Sequence, residues 1–229
     1  MKLRRLLFSL AIPLALVTHL AAAGTPNYVA PATLPPQLLP APPTEGTPDW
    51  QNQIEKVVMA QRGLNEDELS AIRSEQTVRL EMITPVVSKA FTREQMPKTF
   101  ALLDRVMADA GSITDADKKF WNTKRPYLAD QQVKLLIDPT NNPSYPSGHV
   151  SETRVVAEVL ALLFPAQRDA LRARAEEIAR RRIEAGVHYP VDIEGGRLLA
   201  MLVMGALMRS ETFHQDLAAA QAEVSTFKF

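Results

Sequence analysis

Residues 146–208 read PSGHVSETRVVAEVLALLFPAQRDALRARAEEIARRRIEAGVHYPVDIEGGRLLAMLVMGALM, and this stretch decides the fold class. Ala, Leu, Glu and Arg dominate it, all good helix formers. Its breaks are punctuation: Pro165, then Gly186 followed by Pro190. Glycine after a helix end and proline at the first turn of the next are the expected stop and start signals. Ser147 is placed to cap the first segment. The pattern predicts helices over about 148–163, 166–185 and 190–208. No alternating strand pattern interrupts them. Leu198 to Met208 is the longest uncharged apolar run after the N-terminal segment. It is too short for a membrane span of roughly 20 residues and reads as a core helix.

Working outward, a further helix is expected over about 211–226. Upstream, Asn65 with Glu68 forms a capping-box pattern for a helix running to about Phe91. Leu69, Ile72, Val78, Leu80, Ile83 and Val86 supply its apolar stripe. Thr92 with Gln95 opens another helix, to about Ala110. Thr114 with Asp117 opens one that must stop near Arg125, because Pro126 disfavours α geometry in the residue before it. A turn-rich loop, Asp138 to Pro146, follows. Residues 24–48 hold eight of the 17 prolines and read as an extended, polyproline-like arm. The expectation is one compact all-α domain, residues 49–229, preceded by that arm.

The N-terminus reads as a secretory signal, residues 1–23. Lys2, Arg4 and Arg5 precede a short apolar core, Leu6 to Val17, and a small-residue site, Ala21-Ala22-Ala23. The expected product is periplasmic or secreted, with no membrane span after cleavage. The whole chain of 229 residues carries 26 basic and 26 acidic side chains. Removing three basic residues with the signal leaves 23 against 26, a mildly acidic −3. That balance argues against a surface built to grip nucleic acid. With no cysteine there is no disulfide framework, no Cys-ligated zinc and no thiolate nucleophile. An apolar fraction of 46% supports a real core.

Three clusters carry possible chemistry. Lys118 and Arg125 are seven residues apart, close to two helical turns, so both fall on one face of the expected helix. A solvated basic face is the alternative, since Lys119 and Lys124 are nearby. Ser147-Gly148-His149 stands at a loop-to-helix junction. There the free N–H groups of a first turn favour an anion and His149 could donate a proton beside it. A plain helix start with a surface histidine would look the same. In the third cluster His188 and Asp192 are four apart. A carboxylate on one imidazole nitrogen fixes the tautomer and leaves the other nitrogen basic, as a histidine nucleophile requires. Arg182 would meet His188 across the turn at Gly186. A structural His–Asp capping pair is the alternative. Taken together, three cations, a helix N-terminus and two histidines describe a phosphoryl-transfer site without a metal. No dense set of metal-ligand residues and no cofactor motif is present.

The order Lys118-x6-Arg125-Pro126, Pro146-Ser147-Gly148-His149 and Arg182-x5-His188-x3-Asp192 resembles the three-part signature of the type-2 phosphatidic acid phosphatase superfamily. Within it, the chain is most similar to the bacterial class A non-specific acid phosphatases. It shares their export signal, the Leu38-Leu39-Pro40-Ala41-Pro42-Pro43 arm, and Ser144-Tyr145 ahead of Pro146. The resemblance implies the helical bundle common to these enzymes and the vanadium haloperoxidases. It implies hydrolysis of phosphomonoesters with broad specificity and inhibition by phosphate or vanadate. His188 would attack phosphorus and form a phosphohistidine, with Asp192 orienting it. His149 would protonate the leaving alkoxide and then activate water. Lys118, Arg125, Ser147, Gly148 and Arg182 would hold the phosphate. Such a mechanism needs His188 neutral and His149 protonated in the free enzyme. Two positions depart from the pattern: Arg181 stands where the family usually has serine, and Val150 where a hydroxyl residue is common.

Rival readings are a vanadate-dependent haloperoxidase, an integral-membrane lipid phosphatase and a non-enzymatic anion or nucleic-acid binder. The last would use Arg168, Arg172, Arg174, Arg180, Arg181 and Arg182. Those arginines are interspersed with Asp169, Glu176, Glu177 and Glu184, which reads as a solvated face. Asp115-Ala-Asp117 lacks the preceding buried strand of a haloacid-dehalogenase site. His214 has no partner in sequence and is expected to be structural or exposed. A homodimer is a plausible assembly for the apolar helices and the arm.

Overall fold

The computed structural model describes residues 28–226, and among them there are helices and loops but no strand. The helices are α1 (Pro48–Ala60), α2 (Glu66–Ser74), α3 (Pro97–Trp121), the single turn α4 (Pro126–Ala129), α5 (Gly148–Leu163), α6 (Arg168–Glu184), α7 (Pro190–Leu207) and α8 (Glu211–Val224). The expected signal segment, 1–23, lies outside the described residues.

Helix α5 is buried along most of its length, the mark of a central helix. Val155, Val156, Ala157, Val159 and Leu160 are all buried. It packs against α3, α6 and α7, while α8 covers α3. Phe100, Leu103, Val106 and Ile113 of α3, Leu199 and Val203 of α7, and Phe213 and Leu217 of α8 complete the main core. Each such side chain taken from water contributes about 1.5–3 kcal/mol. The 198–208 run lies in α7 but is not wholly core. Leu199, Val203 and Leu207 face inward, whereas Leu198 and Met201 are exposed.

The chain from 146 onward folds as its sequence predicts, within two or three residues. The 65–125 region does not. The capping box at Asn65 and Glu68 forms, both bonds at 2.9 Å, but α2 stops at Ser74 rather than near Phe91. Pro85 disfavours α geometry at Thr84. The apolar residues beyond Ser74 reach the core through 3-10 turns at Leu80–Met82 and Thr84–Val86. The two helices expected over 92–110 and 114–125 are one. It begins at Pro97, where the fixed φ of proline suits a first turn. It runs through Thr114, whose hydroxyl bonds back to the Ala110 carbonyl at 2.8 Å. Asn122, at φ 46°, ends it in a left-handed turn.

The proline-rich segment is not purely extended. Residues Pro31–Thr33 and Pro36–Leu38 form 3-10 turns, and Pro48 already belongs to α1. Tyr28, Val29, Leu34 and Leu39 are buried in the main core. The Val29 amide donates to Asp109 at 2.9 Å, and the Tyr145 hydroxyl donates to the Pro40 carbonyl at 2.8 Å. Among the described residues no helix is long and apolar enough to cross a membrane.

Candidate active site

A cavity of about 330 Å³ opens where the end of α3, the start of α5 and the α6–α7 turn meet. Lys118, Arg125, Gly148, His149, Arg182 and His188 all line it. The turn carrying His188 depends on Gly186, at φ 77°. A Cβ there would lie 2.2 Å from the Lys134 carbonyl oxygen, so only glycine fits. Pro190 then starts α7, whose first turn carries Asp192.

His188 is 3% exposed. Its Nδ1 lies 3.0 Å from Asp192 Oδ2. That oxygen also accepts from the Tyr189 amide, at 2.9 Å, and from the Ser144 hydroxyl. An Arg125 N–H stands 3.2 Å from His188 Nε2. Arginine only donates and a carboxylate only accepts, so the network assigns the proton to Nδ1 and a lone pair to Nε2. Burial, with the Arg125 and Lys118 cations close by, holds the imidazole well below its ordinary pKa. Burial pushes the Asp192 carboxyl up; the Ser144 and Tyr189 donors and the two cations pull it back toward the charged form.

The cations are fixed by main-chain oxygens. Lys118 Nζ donates to the carbonyls of Pro143 (2.7 Å) and Ser144 (2.9 Å). Arg125 donates to the carbonyls of Asn142 (2.9 Å) and Val187 (2.7 Å) and to Asn142 Oδ1 (2.6 Å). Arg182 is different. It is 0% exposed, and its single bond runs to the Ile72 carbonyl at 3.3 Å. Its Nε and Nη1 have no partner. Burial presses its pKa down to about 10. Buried, unpaired guanidinium N–H groups are costly, and an oxyanion in the cavity would satisfy them.

Residues 99–216 match the family model of the PAP2 superfamily. The chain belongs to the PAP2 superfamily. A non-specific acid phosphatase of Salmonella typhi is 26% identical, over 98% of this chain and 94% of that one. A non-specific acid phosphatase of Providencia stuartii is 28% identical over 60% of this chain and 57% of its own length. An acid phosphatase of Zymomonas mobilis is 29% identical over 57% and 51%.

The PAP2 signature thus converges in space, though not by the route its spacing suggested. Lys118 and Arg125 do not share a helix face. Lys118 is in the last turn of α3, whereas Arg125 lies beyond the break in extended geometry, φ −75° and ψ 152°, imposed by Pro126. Ser147 occupies the N-cap position of α5 without capping it: its hydroxyl is buried and unpartnered. Ser147 and Asp192 lie behind the lining residues. His149 is held by its Nε2, which donates to the Glu75 carbonyl at 3.0 Å. Burial and then Arg182 press its pKa down to about 3. It is therefore neutral, not protonated as expected. His214 is exposed, with Nε2 3.0 Å from the Met208 carbonyl.

Four of the six arginines of α6 are engaged in ion pairs: Arg172 with Glu158, Arg174 with Glu75 and Glu177, Arg180 with Glu184, and Arg181 with Glu75 and Glu177. Sequence reasoning missed Glu75, because its partner helix is about a hundred residues away. It also missed Glu152 and Asp115, which line the cavity. Glu152 follows Gly148 by four residues, a spacing that places both on one helix face.

Proposed function

We propose that the protein is an exported, broad-specificity acid phosphatase that hydrolyses phosphomonoesters through a phosphohistidine, without a metal. The observation that carries this reading is the presence in one cavity of Arg182, with two buried nitrogens lacking a partner, and His188, whose Nε2 carries its lone pair toward the Arg125 N–H. The three curated relatives named above carry acid phosphatase names. Among the described residues no three His, Asp or Glu side chains group as metal ligands would. The basic, apolar and small-residue blocks of segment 1–23 support export, to the periplasm or outside the cell.

Arg182, Arg125 and Lys118 bind the ester phosphate and stabilise the equatorial oxygens as the transition state forms. Burial first, and then Arg182 and Arg125, keep His149 neutral; the phosphate's negative charge offsets those cations, and His149 takes up a proton as substrate binds. His188 Nε2 attacks phosphorus, the P–O ester bond breaks, and His149 gives its proton to the departing oxygen. The alcohol leaves and His188 carries the phosphoryl group. Water then attacks phosphorus, its proton passes to His149, the N–P bond breaks, and phosphate departs. Asp192 fixes His188 and stabilises its positive charge throughout. Phosphate and vanadate inhibit by occupying the same anion site. The exposed Leu198 and Met201 of α7, with Met208 just beyond its end, support self-association as a homodimer.

Hydrolysis of a chromogenic phosphomonoester, with and without EDTA, tests the reading. Turnover retained in EDTA is the expected result. Loss on chelation overturns the metal-free mechanism, and no hydrolysis across roughly two pH units either side of the histidine range overturns the activity.

A further inference from the structure

The residue that breaks the family pattern, Arg181, does not face the cavity. Its guanidinium donates to the carboxylates of Glu75 and Glu177. Glu75 follows α2 directly, and its side chain is 3% exposed. A carboxylate so buried is destabilising unless it is paired. Arg181 and Arg174, seven residues apart on α6, supply the pairing through Oε1. Arg174 also donates to the Met82 carbonyl at 3.0 Å and to Glu177 at 2.7 Å. The Glu75 side chain is therefore anchored to α6, while its main-chain carbonyl accepts the His149 Nε2 proton at 3.0 Å. One residue faces both ways.

We propose that Arg181, acting through Glu75, is a positioning residue for His149. The proposal rests on reading His149 as the proton donor. With Nε2–H held on the Glu75 carbonyl, Nδ1 is the nitrogen left to deliver the proton to the leaving oxygen. Displacement of the Glu75 backbone turns the ring and misaims that proton, while His188, held by Asp192, and Lys118 and Arg125, held by the carbonyls of residues 142–144 and 187, stay in place. A bare tether between α2 and α6 would predict something else: lower stability and an equal rate loss for every substrate.

The leaving group separates the two. An aryl phosphate departs with little help from an acid, whereas an alkyl phosphate needs its oxygen protonated. kcat/KM reports the first chemical step for each, so it is measured across an aryl-to-alkyl series of phosphomonoesters. Arg181→Ala is expected to lose about tenfold more on alkyl than on aryl esters, a fraction of the ~100-fold or more that a general acid supplies. Arg181→Lys keeps a cation near Glu75, folds if the alanine variant does not, and is expected to show a smaller bias of the same sign. Inhibition by inorganic phosphate should change by less than the alkyl bias, because Lys118, Arg125 and Arg182 are all retained. In a His149→Ala background, Arg181→Ala should add no further alkyl-specific loss. An equal loss on all esters in the Arg181 variants, or an alkyl-specific loss that persists without His149, overturns the proposal. A His149→Ala enzyme with no alkyl bias of its own instead overturns the donor reading beneath it.

Discussion

The two histidines of the cavity are supported in opposite ways. His188 is held by a carboxylate four residues on, with Ser144 and Tyr189 fixing the same oxygen. All but Ser144 belong to the chain between Gly186 and the first turn of α7. His149 is held by a main-chain carbonyl from Glu75, 74 residues away, and that carbonyl is steadied by charges on α6. Support for the proposed nucleophile is thus local and anionic, and support for the proposed donor is remote and neutral. A carboxylate partner stabilises an imidazolium, which suits the ring proposed to carry the phosphoryl group. A carbonyl partner offers less stabilisation of positive charge. That leaves His149 free to lose its proton and take it back, as a group alternating between acid and base must.

The comparison breaks hardest at His188. His188→Ala should abolish turnover, by about 10⁴-fold or more, while phosphate still binds with near-native affinity. A variant that retained most of its activity on any ester would refute the nucleophile. Asp192→Asn comes next. The amide offers Nδ1 a wrong partner and favours the wrong tautomer, so kcat should fall by about 10²- to 10⁴-fold on aryl and alkyl esters alike. A loss confined to alkyl esters would mean that Asp192 serves the donor instead.

His149→Ala gives a smaller and selective effect. Alkyl esters should lose about 100-fold or more in kcat/KM, and aryl esters far less. Phosphorylated enzyme should build up during aryl ester turnover, because the same ring activates water in the second step. Rapid-quench trapping measures that intermediate. Equal losses in both ester classes, with no accumulation, would place His149 among the binding groups.

The same contrast explains what the sequence made legible. The His188–Asp192 pair could be read from a spacing of four, since a single turn of chain places both. The start of α5 and the boundaries of α6 and α7 were legible because Gly186, Pro165 and Pro190 punctuate locally. The cradle around His149 was not. The 75–79 segment follows a helix predicted to continue, and its position depends on ion pairs to α6 that no local pattern encodes. Lys118 and Arg125 were assigned to one site for a reason the structure replaces. A helix break at Asn122, rather than a shared helical face, delivers Arg125 to the cavity. The neutrality of His149 also escaped, because it follows from burial beside Arg182, which lies 33 residues on in the sequence.

The mildest test lies on the donor side. Glu152 stands three residues after His149 on α5 and lines the cavity. Burial, then the Asp115 carboxylate, raises its pKa to about 8, with Lys118 opposing. Below that pH Glu152 is neutral and adds no charge against an incoming ester phosphate. Above it Glu152 ionises and repels the phosphate. Lys118, whose pKa is pushed down by burial and by Arg125, loses charge in the same direction. KM should therefore rise as pH passes through 8, for two reasons of the same sign. Glu152→Gln fixes the neutral form and removes one of them. A carboxylate and a phosphate separated by about 6 Å of water repel by about 0.7 kcal/mol, or about threefold in KM. The variant should match the native enzyme below pH 7 and show a rise about threefold smaller above pH 8. KM–pH curves that superimpose would mean that Glu152 does not sense the bound phosphate, and would leave the alkaline loss of affinity to Lys118 alone.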